Sequence, residues 1–152
     1  MSQDLPVLAR NKAGEYFKQG YNCAESVFRA YLDLLPHNLP PETARLASAF
    51  GGGLGRAGCI CGALTGSELV LSLLAGRENQ AEKPDRIYQL SSEFHNRFKE
   101  HFGATCCRVL NKEDYQSQEH FRRCLKITGG AAQLLAQFIL SHDLLDGLPL
   151  PQ

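Results

Sequence analysis

The sequence FGGGLGRAGCICGALTG, residues 50–66, combines a glycine-dense turn with the start of an apolar helix. It places Cys59 and Cys61 two positions apart and runs directly into the apolar segment at residues 69–75. Glycine lets backbone N–H groups crowd together, and a helix start adds N–H groups that have no intrahelical partner. Because Cys61 lies at this junction, we expect its thiolate to be favoured. Such a thiol suits redox chemistry or metal binding.

The composition narrows the class of protein. The 152 residues, of which 43% are hydrophobic, suit one compact domain that spans residues 1–152. Sixteen basic side chains balance sixteen acidic ones, so no global field favours nucleic acid or an anionic membrane. We find neither a signal-peptide pattern nor an apolar run long enough to span a bilayer, and we expect a cytoplasmic protein.

Apolar residues recur at helical spacing before the glycine-dense stretch. The pattern predicts a first helix over residues 5–19 that ends at Gly20, and a second that starts at Asn22. Glu25 lies three residues after Asn22, as in a capping box, and Cys23 then faces the core. Pro41 is placed to begin a short third helix that continues to Phe50.

The chain after the glycine-dense stretch is also helical in pattern. Residues 61–75 are apolar nearly all round, which predicts a central buried helix. Apolar positions at residues 87–102 predict a fifth helix, and a final long helix is expected to begin near Glu119. No clear two-residue alternation is present. The prediction is therefore an all-α domain of about six helices, with a glycine-rich loop before its central helix.

Gly53, Gly55 and Gly58 match the GxGxxG pattern of dinucleotide-binding proteins. That fingerprint requires a preceding strand, whereas the segment before these glycines reads as helix, so a nucleotide site is not favoured. Two explanations remain open for the glycines. They allow a turn and close helix packing, or their N–H groups cradle an anion or the sulfur of Cys61.

The chain contains six cysteines. In a reducing compartment we do not expect structural disulfides, and burial alone explains the set poorly because four cysteines occur as close pairs. The pair spacings CxC and CC do not form a zinc knuckle, while an iron–sulfur cluster held from separate segments stays open. A dithiol requires only two sulfurs within reach and one activated thiolate.

Other titratable side chains give weaker signals. Glu68 lies seven residues after Cys61 on the predicted central helix, where it is either a general base or a carboxylate that reaches solvent or a basic partner. No histidine is predicted to pair with a cysteine at a recognisable ligand spacing. His95 and His101 are expected at the surface.

Four segments carry a family resemblance: GYNCAESV around Cys23, the glycine-dense stretch around Cys61, TCCRVL around Cys107 and RRCLKITGGAAQLL around Cys124. In order and approximate spacing they make the chain resemble the C_GCAxxG_C_C family. The resemblance implies a small, mainly helical, cytoplasmic protein with four characteristic cysteines and a redox role. It also picks out Gly62, Ala63 and Gly66, and it leaves Cys59 and Cys106 as extra cysteines.

The primary hypothesis is thiol–disulfide or electron-transfer chemistry, which makes a thiol-dependent oxidoreductase one interpretation. Cys61 is expected to be the activated thiolate, which Cys23, Cys107 or Cys124 resolves. Cys59, Cys106 and Glu68 are accessory candidates. The candidate loop residues are Gly51, Gly52, Gly53, Gly55, Gly58, Gly62 and Gly66.

Two alternatives belong to other classes. In one, Cys23, Cys61, Cys107 and Cys124 are ligands of zinc or an iron–sulfur cluster. In the other, the cysteines are packed in a helical interaction module. The sequence does not identify a cofactor, and the dithiol hypothesis requires none. It does not identify the redox partner, and the long apolar stripes lead us to expect a homodimer.

Overall fold

The computed structural model describes residues 4–146 and residue 148, and within them every regular element is helical. The predicted all-α class is confirmed. Each of the six predicted helices is present in this part of the chain, and two short segments of a single turn, the first of them left-handed, add to them. The elements are α1 Leu5–Lys18, α2 Cys23–Leu34, a 3-10 helix Pro41–Phe50, α3 Gly51–Leu54, α4 Gly62–Ala75, α5 Asp85–Phe102, α6 Cys107–Leu110 and α7 Gln118–Ser141.

The predicted start of α2 is confirmed in detail. The Glu25 backbone N–H donates to Asn22 Oδ1 at 2.8 Å, and the Asn22 N–H donates to Glu25 Oε1 at 3.0 Å. This capping box satisfies backbone N–H groups that a helix start leaves without partners, and such a cap contributes about 1 kcal/mol. It fixes Cys23 as the first residue of the helix.

The predicted third helix is a 3-10 helix. Its buried residues are Ala44 and Ala47, three positions apart, and the partly buried Phe50 follows after three more. Because a 3-10 helix has three residues per turn, these side chains align on one face. The tighter winding therefore suits the buried positions better than an α-helix.

The glycine-dense stretch folds back on itself. Five consecutive residues, from Gly52 to Arg56, have positive φ angles between 62° and 71°. Glycine adopts this left-handed region without strain, whereas Leu54 and Arg56 do so at a cost. A Cβ at Gly53 would lie 2.5 Å from the Cys59 backbone nitrogen, so this turn requires glycine at position 53, where the backbone approaches that of Cys59.

Helix α4 lies at the centre of the molecule and contacts α2, α5 and α7. A Cβ at Gly66 would lie 2.7 Å from the Ala24 carbonyl oxygen, and one at Gly62 would lie 2.5 Å from Cys23 Sγ. These two glycines let α2 and α4 approach closely. The approach brings the start of α2, with Cys23, against the start of α4, with Cys61.

Helix α7 has 24 residues and is long and apolar enough to cross a bilayer by length and composition alone. This differs from the expectation that no apolar run is long enough. Core helices of soluble proteins give the same signal, and 44% of the apolar window of α7 is buried inside the protein. Helix α7 packs along α1 and also contacts α2, α4 and α5. These contacts are those of a core helix.

Candidate functional site

One cavity of about 850 Å³ lies between the start of α2, the glycine-dense stretch, α6 and the first half of α7. Its wall includes Cys23, Cys61, Cys107 and Cys124, the four cysteines that the resemblance singled out. We call it the thiol cavity. Of the seven candidate loop glycines, four line it: Gly51, Gly52, Gly55 and Gly58.

Three of these thiols affect one another's ionisation. Cys61 interacts with Cys23 on one side and with Cys107 on the other, and we call these residues the thiol trio. Cys23 is 8% exposed and Cys61 is 4% exposed, whereas Cys107 is partly exposed. All three are free thiols. The structure thus places a buried thiol between two others, of which Cys107 is the more accessible.

The pKa of Cys23 is lowered to about 7. The main cause is its hydrogen bond with Cys61, and the backbone N–H groups of Gly52, Ala24 and Cys23 itself also stabilise the thiolate. Burial opposes this shift. The glycine-dense stretch therefore directs an amide at Cys23 and not, as one sequence interpretation had it, at Cys61.

The pKa of Cys61 is raised well above its ordinary value. Its hydrogen bonds with Cys107 and Cys23 are the largest causes, followed by burial. The Cys61 S–H group donates its hydrogen to a neighbouring sulfur that is ionised. Loss of this proton would remove that donor, so ionisation of Cys61 is unfavourable. The direction of this shift argues against the expected activation of the Cys61 thiolate, because its interactions with Cys107 and Cys23 and its burial all favour the protonated form.

The pKa of Cys107 is lowered, chiefly by the hydrogen bond with Cys61 and in part by the Gly62 backbone N–H, while burial opposes the shift. Cys107 thus combines a favoured thiolate with partial exposure. Both properties are needed by a thiol that attacks a substrate from outside.

Cys124 lies in a different environment on α7. Its sulfur accepts a hydrogen bond from Asn111 Nδ2 at 3.2 Å and lies 3.4 Å from His120 Nε2. His120 Nδ1 is 3.2 Å from the Glu113 carbonyl oxygen, so in the neutral ring Nδ1 carries the hydrogen and Nε2 accepts the proton of the thiol. Burial raises the pKa of Cys124 to about 11. Cys124 is therefore held as a thiol.

The sequence analysis did not predict that His120 and Asn111 contact Cys124. His120 and Cys124 are four residues apart, a spacing that puts both on one face of a helix. This signal was available, since the final helix was expected to begin near Glu119. The position of Asn111 depends on how the segment after α6 folds back onto α7 and has no comparable signal.

Cys59 and Cys106 form a disulfide, contrary to the expectation that the chain has none. Neither of them lines the thiol cavity. Beside this bond, the Cys61 N–H donates to the Thr105 carbonyl oxygen at 2.8 Å and the Arg108 N–H donates to the Gly58 carbonyl oxygen at 3.1 Å. Together these links hold the segment that carries Cys107 against the one that carries Cys61.

Glu68 does not line the thiol cavity. Its Oε2 accepts a hydrogen bond from Ser91 Oγ on α5 at 2.7 Å, and burial raises its pKa to about 7. The structure therefore places Glu68 at the contact between α4 and α5. It gives no support to a general-base role beside Cys61.

A metal site requires several ligand side chains that converge on one point. Within the part of the chain that the structure describes, no group of three or more His, Cys, Asp or Glu side chains is arranged to hold a metal ion. Four sulfurs line the thiol cavity, and that of Cys124 is held by Asn111 and His120.

A comparison with protein-family models identifies one family. A family model described as "Putative redox-active protein (C_GCAxxG_C_C)" matches residues 21–138, a range that includes all four cysteines of the thiol cavity. A protein from Archaeoglobus fulgidus, named "Uncharacterized protein", is 30% identical over 135 residues, which cover 83% of this chain and 89% of that protein. No solved structure matches the chain.

Proposed function

Because the chain belongs to the C_GCAxxG_C_C family of redox-active proteins, we propose that it carries out thiol–disulfide exchange through the thiol trio. One observation carries this proposal. Cys61, which keeps its proton, is hydrogen-bonded to two thiols whose pKa values are lowered, all on the wall of one cavity. A nucleophile and a resolving thiol in contact are what two-step exchange requires.

In the first step, Cys107 attacks. Its thiolate displaces one sulfur of a substrate disulfide, so a Cys107–substrate bond forms, the substrate S–S bond breaks and the departing thiolate takes the electron pair. The accessibility of Cys107 and its lowered pKa favour it over Cys23 in this role. The departing thiolate takes a proton from solvent.

In the second step, Cys61 attacks Cys107 Sγ and displaces the second substrate thiolate. The Cys61 proton passes to the Cys23 thiolate, with which Cys61 is hydrogen-bonded. The protein ends with a Cys61–Cys107 disulfide, and the substrate has received two electrons as two thiols. An external thiol reductant reverses these exchanges and restores the trio.

The metal-ligand hypothesis uses the same four cysteines. The contacts favour the dithiol, because they join three sulfurs in a row and hold Cys124 separately as a thiol beside His120 and Asn111. Metal analysis of protein purified without oxygen separates the two hypotheses directly. Stoichiometric iron or zinc bound through these cysteines would overturn the dithiol proposal.

The chemical test uses bis(hydroxyethyl) disulfide, a neutral oxidant, followed by mass spectrometry of peptides. We expect the loss of two thiols and a bridge between Cys61 and Cys107. In Cys61→Ser the first step proceeds and the adduct on Cys107 persists, whereas Cys124→Ser, the matched control, still forms the bridge. Absence of any new bridge in the wild-type protein would overturn the proposal.

Cys23→Ala tests the role of the third thiol. Without the Cys23 thiolate to take the Cys61 proton, we expect the adduct on Cys107 to form at an ordinary rate and to resolve at least about tenfold more slowly. Quenched samples taken over time would show the adduct accumulate. Resolution at the wild-type rate would show that Cys23 does not act as the base.

A further inference from the structure

Two guanidinium groups on the wall of the thiol cavity have no carboxylate partner. Arg56 and Arg108 both line the cavity. Within residues 4–146, the ion pairs join Lys12 to Asp33 and Glu93 to Arg97 and His142, and neither cavity arginine takes part in one. Both side chains are exposed at the cavity wall, where guanidinium groups are suited to bind a ligand that carries negative charge.

Arg56 is held in place at some conformational cost. Its φ angle of 68° lies in the left-handed region that a non-glycine residue rarely adopts. Its guanidinium lies 4.5 Å from the centroid of the Tyr115 ring, and Tyr115 also lines the cavity. Strain that the surroundings enforce at a cavity wall is a feature of ligand-binding residues.

Arg108 places the second cation next to Cys107. Its backbone N–H donates to the Gly58 carbonyl oxygen at 3.1 Å, and its Nη1 lies 3.5 Å from the Ala57 carbonyl oxygen. The side chain therefore lies along the glycine-dense stretch. Arg56 belongs to the same stretch, and Arg108 directly follows Cys107 in the chain, so both arginines contribute to the wall of the cavity that holds Cys107.

Two carboxylates also line the cavity, and neither neutralises these arginines. Glu25 is engaged in the capping box, since Oε1 accepts from the Asn22 N–H and Oε2 accepts from Ser48 Oγ at 3.4 Å. Glu113 is exposed, and its carboxylate forms no ion pair with either arginine within residues 4–146. The positive charge next to Cys107 is left for a ligand.

The size of the cavity limits what can reach the sulfurs. Cys107, the sulfur that attacks, lines the cavity, so the substrate disulfide meets it there, and Cys61, which resolves the adduct, is 4% exposed. A volume of about 850 Å³ lies within the usual range of small-molecule pockets, about 300–1,000 Å³. Apolar and aromatic walls accompany the charges, among them Phe17, Tyr21, Phe121 and Ile127.

We propose that the substrate is a low-molecular-weight disulfide that carries carboxylate groups, bound by Arg56 and Arg108 with one sulfur at Cys107. This inference rests on the proposed thiol–disulfide exchange and names its substrate class. Each guanidinium binds a carboxylate of the ligand, and the exchange then follows the two steps given above, in which the protein supplies both electrons.

The test compares three disulfides that differ in charge. Reduced protein is mixed at low ionic strength with dithiodipropionate, which is anionic, bis(hydroxyethyl) disulfide, which is neutral, or cystamine, which is cationic. We expect the bimolecular rates to fall in that order, by about tenfold or more from the first to the last, and the differences to shrink as salt is added. Equal rates, or the reverse order, would overturn the inference and leave the exchange itself intact.

Substitutions assign the preference to the two arginines. In Arg56→Gln and Arg108→Gln we expect each variant to lose several-fold of the anionic preference and the double variant to lose all of it. Arg86→Gln, an exposed arginine on α5 outside the cavity, is the matched control. Arg56→Lys keeps the charge and should keep the preference, which separates charge from folding effects. A preference that survives in the double variant would contradict the assignment.

The outcomes separate the two proposals. If no disulfide of any charge produces a Cys61–Cys107 bridge, the proposed function fails. If a disulfide-bonded protein substrate is reduced faster than every small disulfide, the exchange stands and the small-molecule inference fails.

Discussion

Two helices of this protein begin at a cysteine, and the two thiols behave in opposite ways. Cys23 is the first residue of α2 and Cys61 is the N-cap of α4. Both are buried, and the two sulfurs are hydrogen-bonded to one another. Nevertheless the pKa of Cys23 is lowered to about 7, whereas that of Cys61 is raised. Position at a helix start therefore does not by itself activate a thiol.

The difference lies in the donors that surround each sulfur. Cys23 receives the Cys61 hydrogen bond and backbone N–H groups, among them that of Gly52. Cys61 lies between Cys107 and Cys23, whose interactions with it favour its protonated form, and burial adds to that effect. The number of donors directed at a buried sulfur decides whether its pKa falls or rises. In the thiol trio, Cys61 is therefore the proton donor, and Cys23 and Cys107 carry the favoured thiolates.

The largest expected effect comes from removing that donor. In Cys61→Ala, the pKa values of Cys23 and Cys107 should rise by at least about one unit, because burial is then less compensated, and the thiolate fraction of Cys23 at neutral pH should fall at least about fivefold. The ultraviolet absorbance of the thiolates as a function of pH measures this change.

Cys61→Ser is the matched control for that experiment. Serine keeps a hydroxyl donor at the same position, so the thiolate titration should stay close to that of the wild-type protein although no bridge can form. An unchanged titration in Cys61→Ala would show that Cys61 is not the source of the lowered pKa values.

Two glycines at the contact of α2 with α4 allow a further test of what lowers the pKa of Cys23. A Cβ at Gly62 meets Cys23 Sγ, and one at Gly66 meets the Ala24 carbonyl oxygen. Gly62→Ala and Gly66→Ala should each reduce the free energy of unfolding by about 1–3 kcal/mol through overpacking. Urea unfolding measures this loss.

Only Gly62→Ala should also disturb the thiols, since it displaces Cys23 Sγ from Cys61 and raises the pKa of Cys23. Thiol titration of the two folded variants therefore separates stability from thiol chemistry. Equal pKa changes in both variants would mean that packing of the helices, and not the sulfur contact, sets the pKa.

Loss of the α2 cap should have a smaller effect on the thiols. Asn22→Ala removes the capping box and should cost about 1 kcal/mol of stability. The pKa of Cys23 should rise only slightly, because the donors Cys61 and Gly52 remain. Asn22→Asp, which keeps a cap acceptor, is the control. A rise larger than that in Gly62→Ala would show that the helix start dominates after all.

Glu68→Gln is expected to have the smallest effect on the thiols, because Glu68 lies outside the thiol cavity. It should change the dependence of stability on pH. The folded-state pKa of about 7 is raised above the ordinary value of 4.5, so wild-type stability is lost as the pH rises through about 7. Above that pH the variant should be more stable, by about 1 kcal/mol after allowance for solvent screening. A shifted thiol titration would contradict this placement.

Much of the fold was predictable from local patterns. The end of α1 near Gly20 and the end of α5 at Gly103 follow from glycines that adopt positive φ angles, and the start of α2 follows from the Asn22 and Glu25 pair. These features depend on residues a few positions apart. The four cysteines of the thiol cavity came from the family resemblance, which predicted the set but not its arrangement.

The remaining features depend on how distant segments meet. The Cys59–Cys106 disulfide and the hydrogen bond from Cys61 to Thr105 depend on the register of residues 103–110 against residues 57–62. The order of the thiol pKa values follows from that register, because it places Cys107 beside Cys61. Helical periodicity contains no information on either point.

The most direct test follows the titration of each thiol separately, using isotope-labelled cysteine β-carbons observed by nuclear magnetic resonance in protein whose free thiols are kept reduced. We expect Cys23 to titrate with a midpoint near 7 and Cys61 to stay protonated beyond the ordinary range of a thiol. Ionisation of Cys61 before Cys23 and Cys107 would contradict it.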